Sequence, residues 1–165
     1  MDAIEALKTR RSVRDFRAGE VPASLLEELV DCARLAPSGR NEQPWEFVVV
    51  RDRQKLRELA ALTDNGRFIA DAAACIVVVC RPAKYFLEDG SAATQNILLA
   101  AHAHGLGACW VAGDKKPYAT SVLKAVGAPE GYHLVSLVPV GWAAAELPER
   151  APKRSLAEVL HWERF

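Results

Sequence analysis

Three arginines and a serine crowd into residues 10–14, Arg10-Arg11-Ser12-Val13-Arg14, just after a stretch that reads as a short helix, residues 2–9. Guanidinium forks bind phosphate oxygens bidentately and a hydroxyl adds a further donor, so this spacing suits a phosphate dianion. It suits equally a solvated basic face that complements the dipole of the preceding helix, and the five residues alone do not separate the two. A second polar segment, Ala36-Pro37-Ser38-Gly39-Arg40-Asn41-Glu42-Gln43-Pro44-Trp45, runs directly into an apolar strand. Its amides, hydroxyl and carboxamides could answer the polar edge of a heterocycle, or form an ordinary loop. A third runs from Asp89-Gly90 through Gln95-Asn96 to Gly105-Leu106-Gly107-Ala108-Cys109-Trp110. There, glycines either bring backbone N–H groups against a planar ring or cap a helix.

Other chemistries find little support. Gly105-Leu106-Gly107 follows a helical segment and has Trp at position 110, whereas a dinucleotide fingerprint follows a strand. The sequence contains no Walker A, HExxH or GxSxG pattern, and Ser38-Gly39 reads as a turn. His102 and His104 lie about 200° apart around a helix axis and cannot share a metal there. His133 and His161 have no identifiable partner, and no metal site is expected. Cys32, Cys75, Cys80 and Cys109 form neither a CxxC pair nor a zinc spacing and read as reduced core thiols. If the chain is an enzyme, a cofactor brings its reactivity.

The elements that must position these segments alternate along the chain. A helix is expected with a Ser24–Glu27 capping box and Leu25, Leu26, Leu29, Val30 and Ala33 on its apolar face, ending before Pro37. Residues 45–50 read as a strand, 54–62 as a charged helix, and 75–80 as a central strand buried on both faces. The longest helix is expected over 90–104, closed by Gly105. Its stripe of Ala92, Asn96, Ala100 and Ala103 suits a subunit contact or packing inside the chain. Then come a short strand at 109–112, a helix at 119–126, a strand at 134–140 whose Pro139 suggests its end or a sheet edge, and a last helix near 156–161. This pattern is α/β or α+β, and 165 residues suit one domain spanning 1–165. Half the residues are hydrophobic, a quarter are charged, and 21 basic side chains balance 21 acidic ones, so neither disorder nor a nucleic-acid partner is expected. No secretory leader or bilayer-length apolar run is apparent, which makes a cytoplasmic protein with no membrane partner the expectation.

Taken together and in order, these segments resemble the FMN-dependent nitroreductase family. The resemblance rests on residues 10–16, 36–41 with Gln43-Pro44-Trp45, Gln95-Asn96, Gly105-Leu106-Gly107, Pro139-Val140-Gly141-Trp142 and Lys153-Arg154. It implies an α+β fold, a mixed, mainly antiparallel sheet wrapped by helices, in an intertwined homodimer with FMN at the subunit interface. Arg10, Ser12 and Arg14 would hold the phosphate and the pyrimidine side of the flavin with Arg11 alongside, and Lys153 and Arg154 would return to the phosphate from the far end of the chain. Pro37, Ser38, Gly39 and Asn41 would cross the dimer to contact flavin or border the substrate pocket. Asn65 would lie near the ring, with Gly105 and Gly107 beside it. The implied reaction is ping-pong, with NADH or NADPH reducing the flavin and a nitroaromatic, quinone or other small acceptor reoxidising it, and no side chain acting as catalyst. Dehydrogenation, dehalogenation, flavin breakdown and non-catalytic flavin binding are the alternatives. Two departures stand out: Phe68, beside Arg67, falls where larger relatives carry a Lys, and the chain leaves little room for a helical cover over the pocket.

Overall fold

The structure, a computed structural model, describes residues 1–147 and 149–165. Its centre is a sheet in the order β1 (Trp45–Val50), β2 (Ala74–Cys80), β5 (His133–Gly141), with β3 (Gly107–Ala108) and β4 (Val111–Ala112) both on the far side of β5. Every ladder is antiparallel, which makes the fold α+β. Successive strand residues point to opposite faces, and β2 is buried on both. Ala74, Ile76, Val78 and Cys80 join the core under α2 (Ala23–Arg34) and α4 (Phe86–Ala103). Cys75, Val77 and Val79 join the opposite core, under α3 (Arg53–Leu62) and α5 (Ala119–Ala125). The sheet is thus the middle of three layers.

A bulge in β5 fixes how α4 lies on the sheet. The register shifts between Val78 and Val79, which pair with Ser136 and Leu134, so Val135 is the extra residue. Val135 and Ser136 both turn toward α4. The Thr94 and Ser136 hydroxyls meet at 2.8 Å, and a Cβ at Gly90 would lie 2.6 Å from Val135 Cγ2. Glycine at position 90 therefore serves close helix-to-sheet approach, and the helix starts four residues before it, at Phe86.

Several expectations need correction. The Ser24–Glu27 capping box does not form: α2 starts at Ala23, and the Pro22 carbonyl accepts from the Leu25 and Leu26 amides. Pro22 supplies a preset φ of −54° in place of a side-chain cap. A capping box does occur at Ser155 and Glu158, but it opens only a three-residue turn, Leu156–Glu158, where a longer helix was expected. Pro139 marks neither the end of β5 nor an edge, because β5 runs through it to Gly141 between β2 and β3. Its effect falls on the neighbour: Cys109 donates its amide to the Pro139 carbonyl, and proline has no N–H to return the bond. The expected strand 109–112 accordingly splits into β3 and β4, which keep one register across the gap. Three members of the small-residue stripe of α4 pack within the chain, Ala92 and Ala100 against the α2-side core and Asn96 with its Nδ2 donating to the Cys32 carbonyl at 2.9 Å, whereas Ala103 is exposed.

Candidate functional site

The C-terminal end of α4 organises the arginine segment. Gly105, at φ +75°, closes the helix in a Schellman motif, with its N–H donated to the His102 carbonyl and that of Leu106 to Ala101. The chain then enters β3, where a Cβ at Gly107 would lie 2.7 Å from Val13. That close approach lets residues 12–13 lie parallel to β3: Ser12 bridges Ala108, and Val13 donates to the Ala108 carbonyl at 2.9 Å. α1 (Ala3–Thr9) ends immediately before this segment.

Arg10, Arg11, Ser12 and Arg14 are thereby gathered beside Gly107 and Cys109. Burial raises the Cys109 thiol pKa, opposed by the Arg14 and Arg10 charges and a Ser12 hydrogen bond. All four cysteines are free; Cys75, Cys80 and Cys109 are buried as expected of core thiols, Cys32 is only half-buried, and burial raises the pKa of each. The arginines diverge in their commitments. Arg11 folds its Nη1 back to the carbonyls of Thr9 and Arg10, at 2.7 and 3.0 Å, capping α1. Arg10 Nη1 is buried with no acceptor, and so is Arg11 Nε. A buried guanidinium donor left unpaired costs about 1–3 kcal/mol or more, so Arg10 fits a site whose acceptor is a ligand. Arg14 is exposed and lines two adjoining clefts, one with Ser12, Asp15 and Ala143.

His102 anchors the same corner. Thr9 Oγ1 donates to the Glu5 carbonyl, and its single proton is then spent, so His102 Nε2 at 2.8 Å is the donor to Thr9. Burial lowers the His102 pKa, reinforced by Arg10 and Arg11 and opposed by Glu5. The unfolded chain therefore binds the extra proton first, and this contribution to stability is complete above the ordinary histidine value and lost as pH falls through the lowered one. Urea titrations between about pH 7 and pH 5 should show stability falling, with a shallower fall in His102→Gln. Equal slopes would contradict this assignment.

Residues 37–43 lie elsewhere. Arg40, Asn41 and Gln43 all adopt left-handed backbone, at roughly 1–2 kcal/mol for each non-glycine residue. Three ties hold them there: Gly39 N–H to the buried Asp89 carboxylate at 2.9 Å, Gln43 N–H to Ser38 Oγ at 3.0 Å, and Arg81 to the Glu42 carbonyl at 2.6 Å. Gly39 also packs on Tyr85, where a Cβ would come within 2.7 Å of the ring. Pro37 and Asn41 are exposed. Asp89 lies in the first turns of α4 and His102 in its last, about 20 Å apart at 1.5 Å per residue. One chain thus sets the 37–41 loop and the arginine segment at opposite ends of the same helix.

Asn65, in contrast, does meet Arg14. The two line a cleft of ≈ 160 Å³ with Phe68, Trp110, Lys116 and Tyr118. The Asn65 loop is held by Arg53, whose guanidinium donates to the Ala70 and Ala72 carbonyls, the latter at 2.6 Å. Lys116 and Tyr118 escaped the sequence reading because they are distant from Arg14 in the chain; only the antiparallel course of β4 brings them back. Lys153 and Arg154 lie in a wholly exposed tail, and Arg154 Nη2 donates to the Glu158 carbonyl at 2.6 Å. No cluster of three or more metal-ligating side chains occurs among the described residues, and none of the described helices is long and apolar enough to cross a membrane. A cleft of ≈ 660 Å³ around Phe16, Arg51, Arg53 and Asp71 contains none of the expected cofactor residues.

The family model of the nitroreductases matches residues 7–75 and 63–142, so it spans both the arginine segment and the sheet. The chain belongs to the nitroreductase family. Among relatives in that family, a protein from Methanothermobacter thermautotrophicus provisionally named NADH dehydrogenase/NAD(P)H nitroreductase is 37% identical over 150 residues, covering 87% of this chain and 78% of the relative. An iodotyrosine deiodinase from Haliscomenobacter hydrossis is 31% identical over 191 residues, covering 92% and 84%. An FMN-dependent nitroreductase from Clostridium difficile superposes with a TM-score of 0.92 at 29% identity, covering 98% of this chain and 99% of that one. A provisionally named nitroreductase from Desulfovibrio desulfuricans, solved in complex with FMN, gives 0.87 at 31% identity, covering 100% and 99%.

Proposed function

We propose that this chain is an FMN-dependent NAD(P)H oxidoreductase, one FMN-binding domain over residues 1–165 that works as a homodimer with the flavin at the subunit interface. The observation that carries the proposal is the buried, unpaired Nη1 of Arg10 beside Ser12 and Arg14, a donor set that fits a phosphate ester at one end and an electron-rich ring edge at the other. The C. difficile and D. desulfuricans proteins support FMN as the group bound there.

FMN, when bound, supplies the two-electron exchange between a nicotinamide donor and an oxidised acceptor; the protein supplies placement and electrostatics. Arg10 and Ser12 hold the phosphate. Arg14 faces the pyrimidine edge and favours negative charge there, while Asn65 offers its amide to the same edge. Backbone at Gly105 and Gly107 lies beside the ring. Pro37, Ser38, Gly39 and Asn41, held at the far end of α4, wall the site of the other copy, and this division accounts for the separation of the two segments within one chain. The exposed tail carries Lys153 and Arg154 to the phosphate as a second cationic contact. Arg11 contributes through the end of α1 and a general positive field. The four cysteines, all free, suit a reducing, cytoplasmic compartment.

Donor and acceptor take turns at the one flavin, so the kinetics are ping-pong with a small nitroaromatic or quinone as acceptor. The purified protein is expected to be yellow, to release FMN on denaturation, and to oxidise NADH or NADPH with parallel double-reciprocal plots as acceptor is varied. A colourless protein that takes up no added FMN would overturn the proposal. The similarity to an iodotyrosine deiodinase favours one second reading, reductive dehalogenation at the same site. Iodide release from an iodinated phenol, without appreciable quinone reduction, would select it.

A further inference from the structure

We propose that Lys116 is a second fixed cation at the ring edge that Arg14 faces, where it selectively holds the reduced, anionic form of the flavin. The inference rests on the flavin reading of the site and adds a residue to it. Arg14, Asn65 and Lys116 line one cleft, with aromatic walls from Phe68, Trp110 and Tyr118. A cleft of ≈ 160 Å³ takes the edge of a planar ring and not the whole of it. Any ligand edge entering it meets two cations and an amide.

The segment bearing Lys116 is built to hold it. At Gly113 a Cβ would lie 2.5 Å from Leu134 Cγ, so the chain presses onto β5 as it leaves β4, and Gly113 N–H donates to the Val135 carbonyl at 3.1 Å. Lys115 then takes left-handed backbone at φ 60°, turning the chain so that the Lys116 N–H returns to the Gly113 carbonyl at 3.3 Å. Tyr118 closes the loop by donating its hydroxyl to the Ala112 carbonyl. A left-handed lysine is uncommon, and such conformations persist where surrounding contacts over-determine them.

The two adjacent lysines have divided roles. Lys115 is almost fully exposed and pairs with Asp114 at 3.6 Å. Lys116 is half-buried and has no ion-pair partner among the described residues. Burial, and after it the charge of Asp64, raises the Tyr118 pKa, which places that acid by the tyrosine side of the cleft. Hydride transfer from a nicotinamide delivers two electrons and one proton, leaving the flavin one unit more negative when no further proton arrives. A cation beside the edge that gains this charge binds the reduced form more tightly than the oxidised one, which is a shift of potential.

The test compares affinities for oxidised and reduced FMN, and the two-electron potential, in the full chain and in Lys116→Met, Lys116→Gln, Lys116→Arg and Lys115→Met. Lys116→Met and Lys116→Gln are expected to bind oxidised FMN within about threefold of the parent and reduced FMN about tenfold more weakly, lowering the potential by about 30 mV. Lys116→Arg should recover most of the difference, and Lys115→Met should match the parent. An unchanged potential with FMN bound, or equal weakening of both forms, would overturn the role of Lys116 and leave the flavin reading intact. A parent protein that binds no FMN would overturn both.

Discussion

Arg10→Ala should purify without pigment and bind added FMN about a hundredfold more weakly than the parent, the consequence of removing one partner of a buried charge-assisted pair worth about 3 kcal/mol. The size of the effect follows from the position of Nη1, buried and without a protein acceptor. The side chain leaves Nη1 buried and unpaired in the apoprotein, so its removal relieves that cost and melting of the apoprotein should change little. Arg11→Ala is the informative comparison. Its Nη1 is already occupied by the last carbonyls of α1, so its loss should loosen that helix end and weaken FMN by less. Flavin titration followed by fluorescence quenching distinguishes the two, and equal effects would place the phosphate elsewhere.

Ending the chain after Ala145 should have the second large effect: a folded but monomeric protein that retains no FMN. Residues 149–165 are all exposed, and Trp162 at 75% and Phe165 at 103% relative exposure are groups a stable chain rarely leaves to water. They form no part of the two cores, and the only regular structure among them is the turn Leu156–Glu158. Their removal should therefore leave the circular-dichroism spectrum and the melting of the monomer nearly as they are. Sedimentation velocity on the full chain should show a dimer. A truncated chain that remains dimeric and yellow would remove the tail, Lys153 and Arg154 included, from the interface and the phosphate contact.

The contrast between these residues shows what a sequence can disclose. β2 was legible because a strand buried on both faces must be apolar at every position, and 75–80 is. The Gly105 cap was legible because a left-handed helix end demands glycine. Capping at Ser24 was misread because a Ser-x-x-Glu spacing is necessary and not sufficient; Pro22 offers a competing start two residues earlier. Asp89 gave no local sign of its role, since its partner is the amide of Gly39, brought near only by the tertiary fold. Lys116 was hidden for the same reason: a lysine in a turn looks like any solvated charge until a neighbouring strand delivers it to Arg14. The cofactor residues named from the ordered motifs form two groups at opposite ends of α4, plus an exposed tail. No periodicity argument along one chain anticipates that arrangement, which the proposed homodimer would join into a single site.

The gap that Pro139 forces at Cys109–Trp110 also bears on how the protein behaves at high concentration. A long, regular sheet edge is a template onto which a stray strand can hydrogen-bond, the first step of aggregation. Here that edge consists of two residues, a break, and two more, with Ser12 already bridged to Ala108. No run of free N–H and C=O groups there is long enough to capture an incoming strand. One imino acid in the central strand thus blunts the adjacent margin of the sheet without placing a charge or a proline on the margin itself.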